Sequence, residues 1–271
     1  MAELKAIIFD MDGTLADTEE IHRQAFNQTF SEFGFDWQWS KEEYKFLLSI
    51  SGGKERIRSY LKEKQAAVDE HEALWRLAET MHQRKSGIYR EKLAGDHIRL
   101  RRGVGRLISE AKNENIALAI ATSSSRENLE TLLHTTLGDQ AISWFDAIVT
   151  CDIVEDKKPS PAAYQLALAE LGEKPQDCIA IEDTRNGNLA ALAAGLKTVI
   201  TTHYFTVDDD FAGASLVLDH LGEPGQPFSV RAGDAPGAGY VDIPLLQSIL
   251  STEHSFETDT AWNPEIAFAV K

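Results

Sequence analysis

Five short apolar runs rich in β-branched residues most constrain what this chain can fold into. They span Leu4 to Phe9, Ile116 to Ala121, Phe145 to Thr150, Cys178 to Ile181 and Thr198 to Thr201, with helical patterns between them. Runs that are continuously apolar, rather than alternating, belong to strands buried on both faces, which is the pattern of a parallel sheet flanked by helices. The expected fold class is therefore α/β, a Rossmann-like parallel-sheet core. Four runs stop at chemically loaded residues: Asp10, Thr122, the segment leading to Lys158, and Glu182 with Asp183. The carboxyl ends of the strands in such sheets line the ligand crevice, so these four polar stops point into one pocket.

About a hundred residues separate the first two runs, whereas a crossover needs roughly a dozen. From Asp17 to about Gly95 the pattern is helical and carries Phe26, Phe30, Phe33, Trp37, Trp39, Phe46, Tyr60 and Trp75. A helical cap inserted just after Asp10 must emerge at the strand ends. The expected organisation is a core of residues 1–16 and 96–221, a helical cap of 17–95 and a C-terminal extension of 222–271. In that extension Gly222 to Pro227 and Gly233 to Gly239 read as linker, Asp242 to Leu250 as a short helix, and the rest as a polar tail.

Forty-three acidic against twenty-seven basic residues give a formal charge of −16, which repels nucleic acid and anionic membranes. Neither is an expected partner. Cys151 and Cys178 are too few for a disulfide framework or a thiolate metal site, and both read as small buried hydrophobes in a reducing compartment. No run approaches 18 apolar residues, the length of a spanning helix. Met1 leads within three residues into the first strand, so the expectation is a cytoplasmic monomer, or a plastid-stromal protein in its mature form.

Asp10 and Asp12 lie two apart at a strand end, so their side chains leave the backbone on the same side. One carboxylate of such a pair can attack phosphorus, and the other can protonate the leaving oxygen and later activate water. Gly13 permits the tight exit turn. An ordinary strand-to-loop turn would also use Asp and Gly. Two carboxylates facing a phosphate require a hard divalent cation held by oxygen ligands, and Mg2+ is expected. Asp183 supplies the further carboxylate, and Glu182 is the outer partner that orients metal-bound water. Asp183 could instead cap the following helix. Thr122 and Ser123 are expected to grip the phosphoryl oxygens, with Ser124 and Ser125 either extending that lip or serving as a helix cap with its turn. Lys158, beside Pro159, is placed to neutralise developing charge, while Lys157 reads as a solvated neighbour.

Taken in order, Asp10-x-Asp12-Gly-Thr, Thr122, Lys158-Pro-x-Pro and Glu182-Asp183 resemble the four motifs of the haloacid dehalogenase (HAD) superfamily, across the first 190 residues or so. The resemblance implies the HAD fold with an inserted cap, Asp10 as nucleophile, and Asp12 as general acid/base with its carbonyl on the metal. It also implies Asp183 as a further magnesium ligand, with Thr122 and Lys158 on the phosphate. Threonine stands at Thr184, where relatives often carry serine.

The insertion narrows the substrate. Ser51-Gly52-Gly53-Lys54 opens a basic helix whose free N–H groups suit a second phosphate, although Arg58 and Lys62 read better as a solvated face. Glu19 and His22, at i and i+3, can select sugar hydroxyls, though Glu19 could pair with Arg23 instead. Asp17 or Thr18 is the expected cap of that helix. Lys85 is a further anion ligand or a surface lysine. The strings around Glu19 and His22, Gly52-Gly53-Lys54-Glu-Arg-Ile and Lys158-Pro-Ser-Pro-x-x-Tyr164 resemble the group of β-phosphoglucomutase and CbbY-type sugar bisphosphatases. They are most similar to the latter, which remove the C1 phosphate of xylulose 1,5-bisphosphate, a Rubisco inhibitor. A phosphomutase, or an inactive binding module of the same fold, would share the core motifs.

Overall fold

The computed structural model describes residues 3–64, 71–95 and 98–252. Each of the five apolar runs forms a strand: β1 (Ala6–Phe9), β2 (Ala117–Ala121), β3 (Ala147–Val149), β4 (Cys178–Glu182) and β5 (Lys197–Thr201). Two more strands follow, β6 (Leu216–Leu218) and β7 (Val230–Gly233). The sheet order is β3-β2-β1-β4-β5-β6-β7, parallel except for β7. Strand order reverses beside β1, between β2 and β4. That is where an open α/β sheet forms its ligand crevice.

Alternation along each strand decides what packs on each face. In β2, Leu118 and Ile120 join one apolar cluster, together with Ile7, Phe9, Ile179 and Ile181 from the neighbouring strands. This face is covered by α5 (Val104–Asn113), α6 (Arg126–Leu137) and α9 (Ile243–Ser251). Ala119 and Ala121 point the other way with Ala6, Cys178 and Ala180. Small side chains there let α7 (Ala162–Leu171) and α8 (Arg185–Ala193) approach closely.

Between β1 and β2 lie α1 (Glu19–Glu32), α2 (Lys41–Leu47), α3 (Gly53–Lys64) and α4 (His71–Gly95). They enclose their own aromatic cluster of Phe26, Phe30, Trp39, Tyr44 and Tyr60. Of the other aromatics in this stretch, Phe46 and Trp75 are exposed. No helix among the described residues is long and apolar enough to cross a membrane.

Three expectations are corrected. The stretch after Leu221 is not a linker: β7 pairs with β6, and Leu221, Phe228, Val241, Ile243, Leu246, Ile249 and Leu250 join the main core cluster. Its glycines and prolines shape turns that return the chain to the core, where Val241 N donates to Leu221 O at 2.7 Å and Arg106 Nη2 to Val241 O at 2.7 Å. The helix expected after Asp242 is present as α9, capped by the Asp242 carboxylate and closed by Lys197 Nζ on Ile249 O and Leu250 O. The tail from 253 onward lies outside the described residues. Cys178 is buried, but Cys151 is only half-buried. Lys157 is not solvated, because its ammonium reaches Glu55 of α3 at 2.6 Å and ties the end of the core segment to the insertion.

Since Leu246 is fully enclosed in the main core, Leu246→Ala should cost about 2–5 kcal/mol through lost transfer energy and the cavity left behind. Urea unfolding that shows less than about 1 kcal/mol would mean that α9 is peripheral.

Candidate active site

β1, β2 and β4 end side by side, and one buried ammonium joins them. Lys158 Nζ donates to Asp10 Oδ1 at 2.6 Å, to Ala121 O at 2.8 Å and to Glu182 Oε1 at 2.5 Å. Tyr164 OH adds a bond to the same Glu182 oxygen at 2.7 Å, and Asp183 N donates to the other at 3.1 Å. Both Glu182 oxygens are thus occupied from within the protein. Burial raises the Asp10 carboxyl well above its usual range, the nearby Glu182 and Asp183 charges add to this, and Lys158 opposes it.

Asp10, Glu182 and Asp183 bring carboxylate oxygens within 4.8 Å of one another. Three carboxylates against the single Lys158 ammonium leave two negative charges in a buried site. That donor set suits a hard divalent cation. Burial and Glu182 push Asp183 up to about 6, against the pull of His203. Thr14 Oγ1 donates to Asp183 Oδ1 at 2.9 Å. The Asp183 cap alternative is not what forms: Thr184 caps α8, accepting from Gly187 N at 3.0 Å. Gly13 takes φ +87°, and a side chain there would strike the Asp183 carboxylate and the His203 ring.

Asp12 leaves on the side of the insertion. Its Oδ1 accepts Thr18 Oγ1 at 2.6 Å, Tyr89 OH at 2.9 Å and His22 Nε2 at 3.0 Å. Burial works to raise its pKa, but His22 and the two hydroxyl donors outweigh it and hold the carboxyl below the usual range. The Thr18 hydroxyl is therefore used on Asp12 and makes no side-chain cap to α1. His22 stacks on Tyr89 with centroids 3.9 Å apart, and Lys85 Nζ meets His22 Nδ1 at 2.5 Å. A charged ammonium only donates, so Nδ1 accepts and Nε2 carries the proton toward Asp12. Lys85 is buried, not a surface lysine, and burial pushes it down to about 7.

A cleft of about 540 Å³ runs from Asp10 and Asp12 past Glu19, His22, Lys85, Thr122, Ser123, Ser124 and Lys158 to Gly52 and Gly53. Lys54 does not line it; its ammonium lies 3.8 Å from Glu79 of α4. Besides Lys85 and Lys158, the cations that line the cleft are Lys45, Arg56 and Arg185. Glu19 accepts from Tyr44 OH at 2.7 Å, while Arg23 pairs with Glu20 instead. Arg58 stacks on Trp75, and Lys62 is solvated. Ser125 caps α6, and Ser124 N donates to Thr122 Oγ1 at 3.0 Å.

Sequence reading missed Tyr89, Tyr44, Arg56, Arg101 and His203. Arg101 donates to the carbonyls of Gly13, Thr201, Thr202 and Asp219, holding the nucleophile loop against the ends of β5 and β6. A signal existed only for His203, which follows the fifth apolar run just as the other loaded residues follow theirs. The rest become partners only through tertiary contact.

The fold and site define a hydrolase built on a strand-end carboxylate cluster, and comparison agrees. Residues 7–201 match the haloacid dehalogenase-like hydrolase family. The chain is 43% identical over 222 residues to protein CbbY of Cereibacter sphaeroides, covering 82% of this chain and 94% of that protein. A crystal structure of Rhodobacter sphaeroides CbbY in complex with xylulose-(1,5)bisphosphate superposes with TM-score 0.74 at 42% identity, covering 80% and 94% of the two chains. β-Phosphoglucomutase of Clostridium difficile, at TM-score 0.65 and 24% identity over 80% of this chain and 91% of that one, shares the fold. The chain belongs to the haloacid dehalogenase-like hydrolase family. Within it, the chain resembles the CbbY proteins over most of its length, and it is an enzyme of the phosphatase kind.

Two predictions follow from the geometry. Gly187 sits inside α8, where propensity alone predicts a gain of up to about 1 kcal/mol for alanine. An added Cβ would instead strike the Glu182 carboxylate, so Gly187→Ala should lower both the melting temperature and activity; a raised melting temperature would refute this packing. Lys85 falls from an unfolded value near 10.4 to about 7. The folded chain then binds fewer protons between these values, so stability should rise with pH from 7 to 9. Urea midpoints should show that rise in the wild type and a flatter profile in Lys85→Met.

Proposed function

We propose that this enzyme is a magnesium-dependent sugar bisphosphate phosphatase that hydrolyses the C1 phosphate of xylulose 1,5-bisphosphate through an aspartyl-phosphate on Asp10. The observation that carries this reading is the cleft. Asp10, Asp12, Glu19, His22 and Lys85 line it together with the cationic side chains of Lys45, Arg56, Lys158 and Arg185, so one cleft offers carboxylates for the chemistry and positive charge for a sugar with two phosphates. The bound sugar bisphosphate in a relative 42% identical supports the substrate class.

Lys158 orients Asp10 by holding Oδ1. The Asp10 carboxylate attacks phosphorus, the bond from phosphorus to the C1 oxygen breaks, and Asp12, protonated as the substrate binds, gives that oxygen its proton. Its three protein bonds converge on Oδ1, which leaves Oδ2 for the exchange. Water then attacks the aspartyl-phosphate and passes a proton back to Asp12, so inorganic phosphate leaves, Asp10 returns as a carboxylate and Asp12 is protonated again. Thr122, Ser123 and Lys158 face the transferring oxygens. Asp10, Asp183 and the Asp12 carbonyl would hold Mg2+, with Glu182 behind them. When bound, the ion neutralises charge on the phosphoryl oxygens. Glu19 faces the sugar hydroxyls, His22 acts through Asp12, and the Gly52-Gly53 turn faces the phosphate that is kept.

Timed phosphate release from xylulose 1,5-bisphosphate should be rapid and should stop on full chelation. Asp10→Asn should lower kcat by about 10³-fold or more while leaving the melting temperature nearly unchanged. Conversion of β-glucose 1-phosphate to glucose 6-phosphate, with no phosphate released from the bisphosphate, would replace this reading with a phosphomutase.

A further inference from the structure

The fifth strand ends as its neighbours do, on polar side chains at the carboxyl edge of the sheet. β5 closes at Thr201, and His203 lies two residues beyond. Its side chain is 4% exposed, and Nε2 lies 2.9 Å from Asp183 Oδ2. The other ring nitrogen, Nδ1, accepts from Phe205 N at 3.3 Å. A nitrogen that accepts carries no proton, so the proton sits on Nε2 and is donated to Asp183. With Thr14 Oγ1 on Oδ1 at 2.9 Å, each oxygen of Asp183 has one protein donor and keeps a lone pair for another partner.

The backbone around the imidazole is itself fixed. His203 O accepts from both Thr206 N and Val207 N, and His203 N donates to Thr206 Oγ1 at 3.2 Å. Phe205 packs edge-on against Tyr44 at 5.6 Å within the aromatic cluster of the insertion. Tyr44 in turn donates to Glu19 in the cleft. One short segment thus touches a carboxylate of the acidic triad and the wall of the substrate cleft.

We propose that His203 is a positioning residue for the cation site, whose Nε2–H fixes the rotamer of Asp183 and keeps one carboxylate oxygen turned toward Asp10. This rests on the reading that Asp183 holds a divalent cation. Glu182 cannot take over the orienting task, because both of its oxygens already accept from Lys158, Tyr164 and the Asp183 backbone. The side chain is not part of the cleft lining, and its one side-chain hydrogen bond to the acidic triad is to Asp183. Hydrogen-bond partners of metal ligands are worth roughly 10- to 100-fold in metal affinity.

The test is Mn2+ binding to the full chain without substrate, read by the loss of the free-ion electron paramagnetic resonance signal. His203→Leu, which removes the donor, should raise the Mn2+ Kd by roughly 10- to 100-fold. His203→Gln, which restores an N–H, should recover part of the affinity. At saturating metal the leucine variant should keep a near wild-type KM for the sugar bisphosphate. Wild-type affinity in a leucine variant that melts cooperatively would overturn the proposal. Should that variant not melt cooperatively, His203→Phe keeps the ring volume without the donor and is judged by the same two outcomes. A wild-type chain that binds no Mn2+ would remove the cation reading itself, a result distinct from equal binding by wild type and variant.

Discussion

The Lys158 ammonium, buried between Asp10, Glu182 and the Ala121 carbonyl, is the interaction on which the rest of the site depends. It joins the ends of β1, β2 and β4, the three strands around the point where strand order reverses. Without it, two carboxylates would be buried unpaired, which costs several kcal/mol. With it, burial first and the neighbouring carboxylates second still raise Asp10 and Asp183 above their usual ranges. Such a donor set suits a hard divalent cation.

The two aspartates of the opening motif sit in opposite electrostatic settings only two residues apart. Asp10 faces other carboxylates, whereas Asp12 faces donors drawn from the insertion. Environments of this kind push the two carboxyls apart in acidity. The insertion thus shapes the site as well as covering it, since His22 and Tyr89 reach Asp12, and Lys85 reaches His22, only because α1 and α4 pack together.

Core and insertion are held in register by contacts spread along the rim. Lys157 meets Glu55, Asn186 donates to Ser51 Oγ at 3.1 Å and to Ser49 O at 3.1 Å, and Phe205 enters the aromatic cluster. Each exposed ion pair contributes little by itself. The buried aromatic contact is worth more, because it removes apolar area from water at both surfaces.

Much of the sheet and the reactive edge was legible in the sequence, because strands buried on both faces must be continuously apolar and their polar stops mark the crevice. Asp10, Asp12, Thr122, Lys158, Glu182 and Asp183 could all be found in this way. The brief apolar run of β6 and the exposed residues of β7 carry no comparable pattern, so the packed extension was mistaken for linker. Lys54 and Lys157 were misjudged for a related reason: spacing places a lysine on a helix or loop, but only packing decides which carboxylate its long side chain reaches. The sequence by itself determined the strand ends and the polar residues that close them, since burial and periodicity are local constraints. Tertiary structure alone decided that Tyr89 reaches Asp12 and His203 reaches Asp183, because these partners lie on elements distant in sequence and meet only when the sheet, the insertion and the β5 loop pack together.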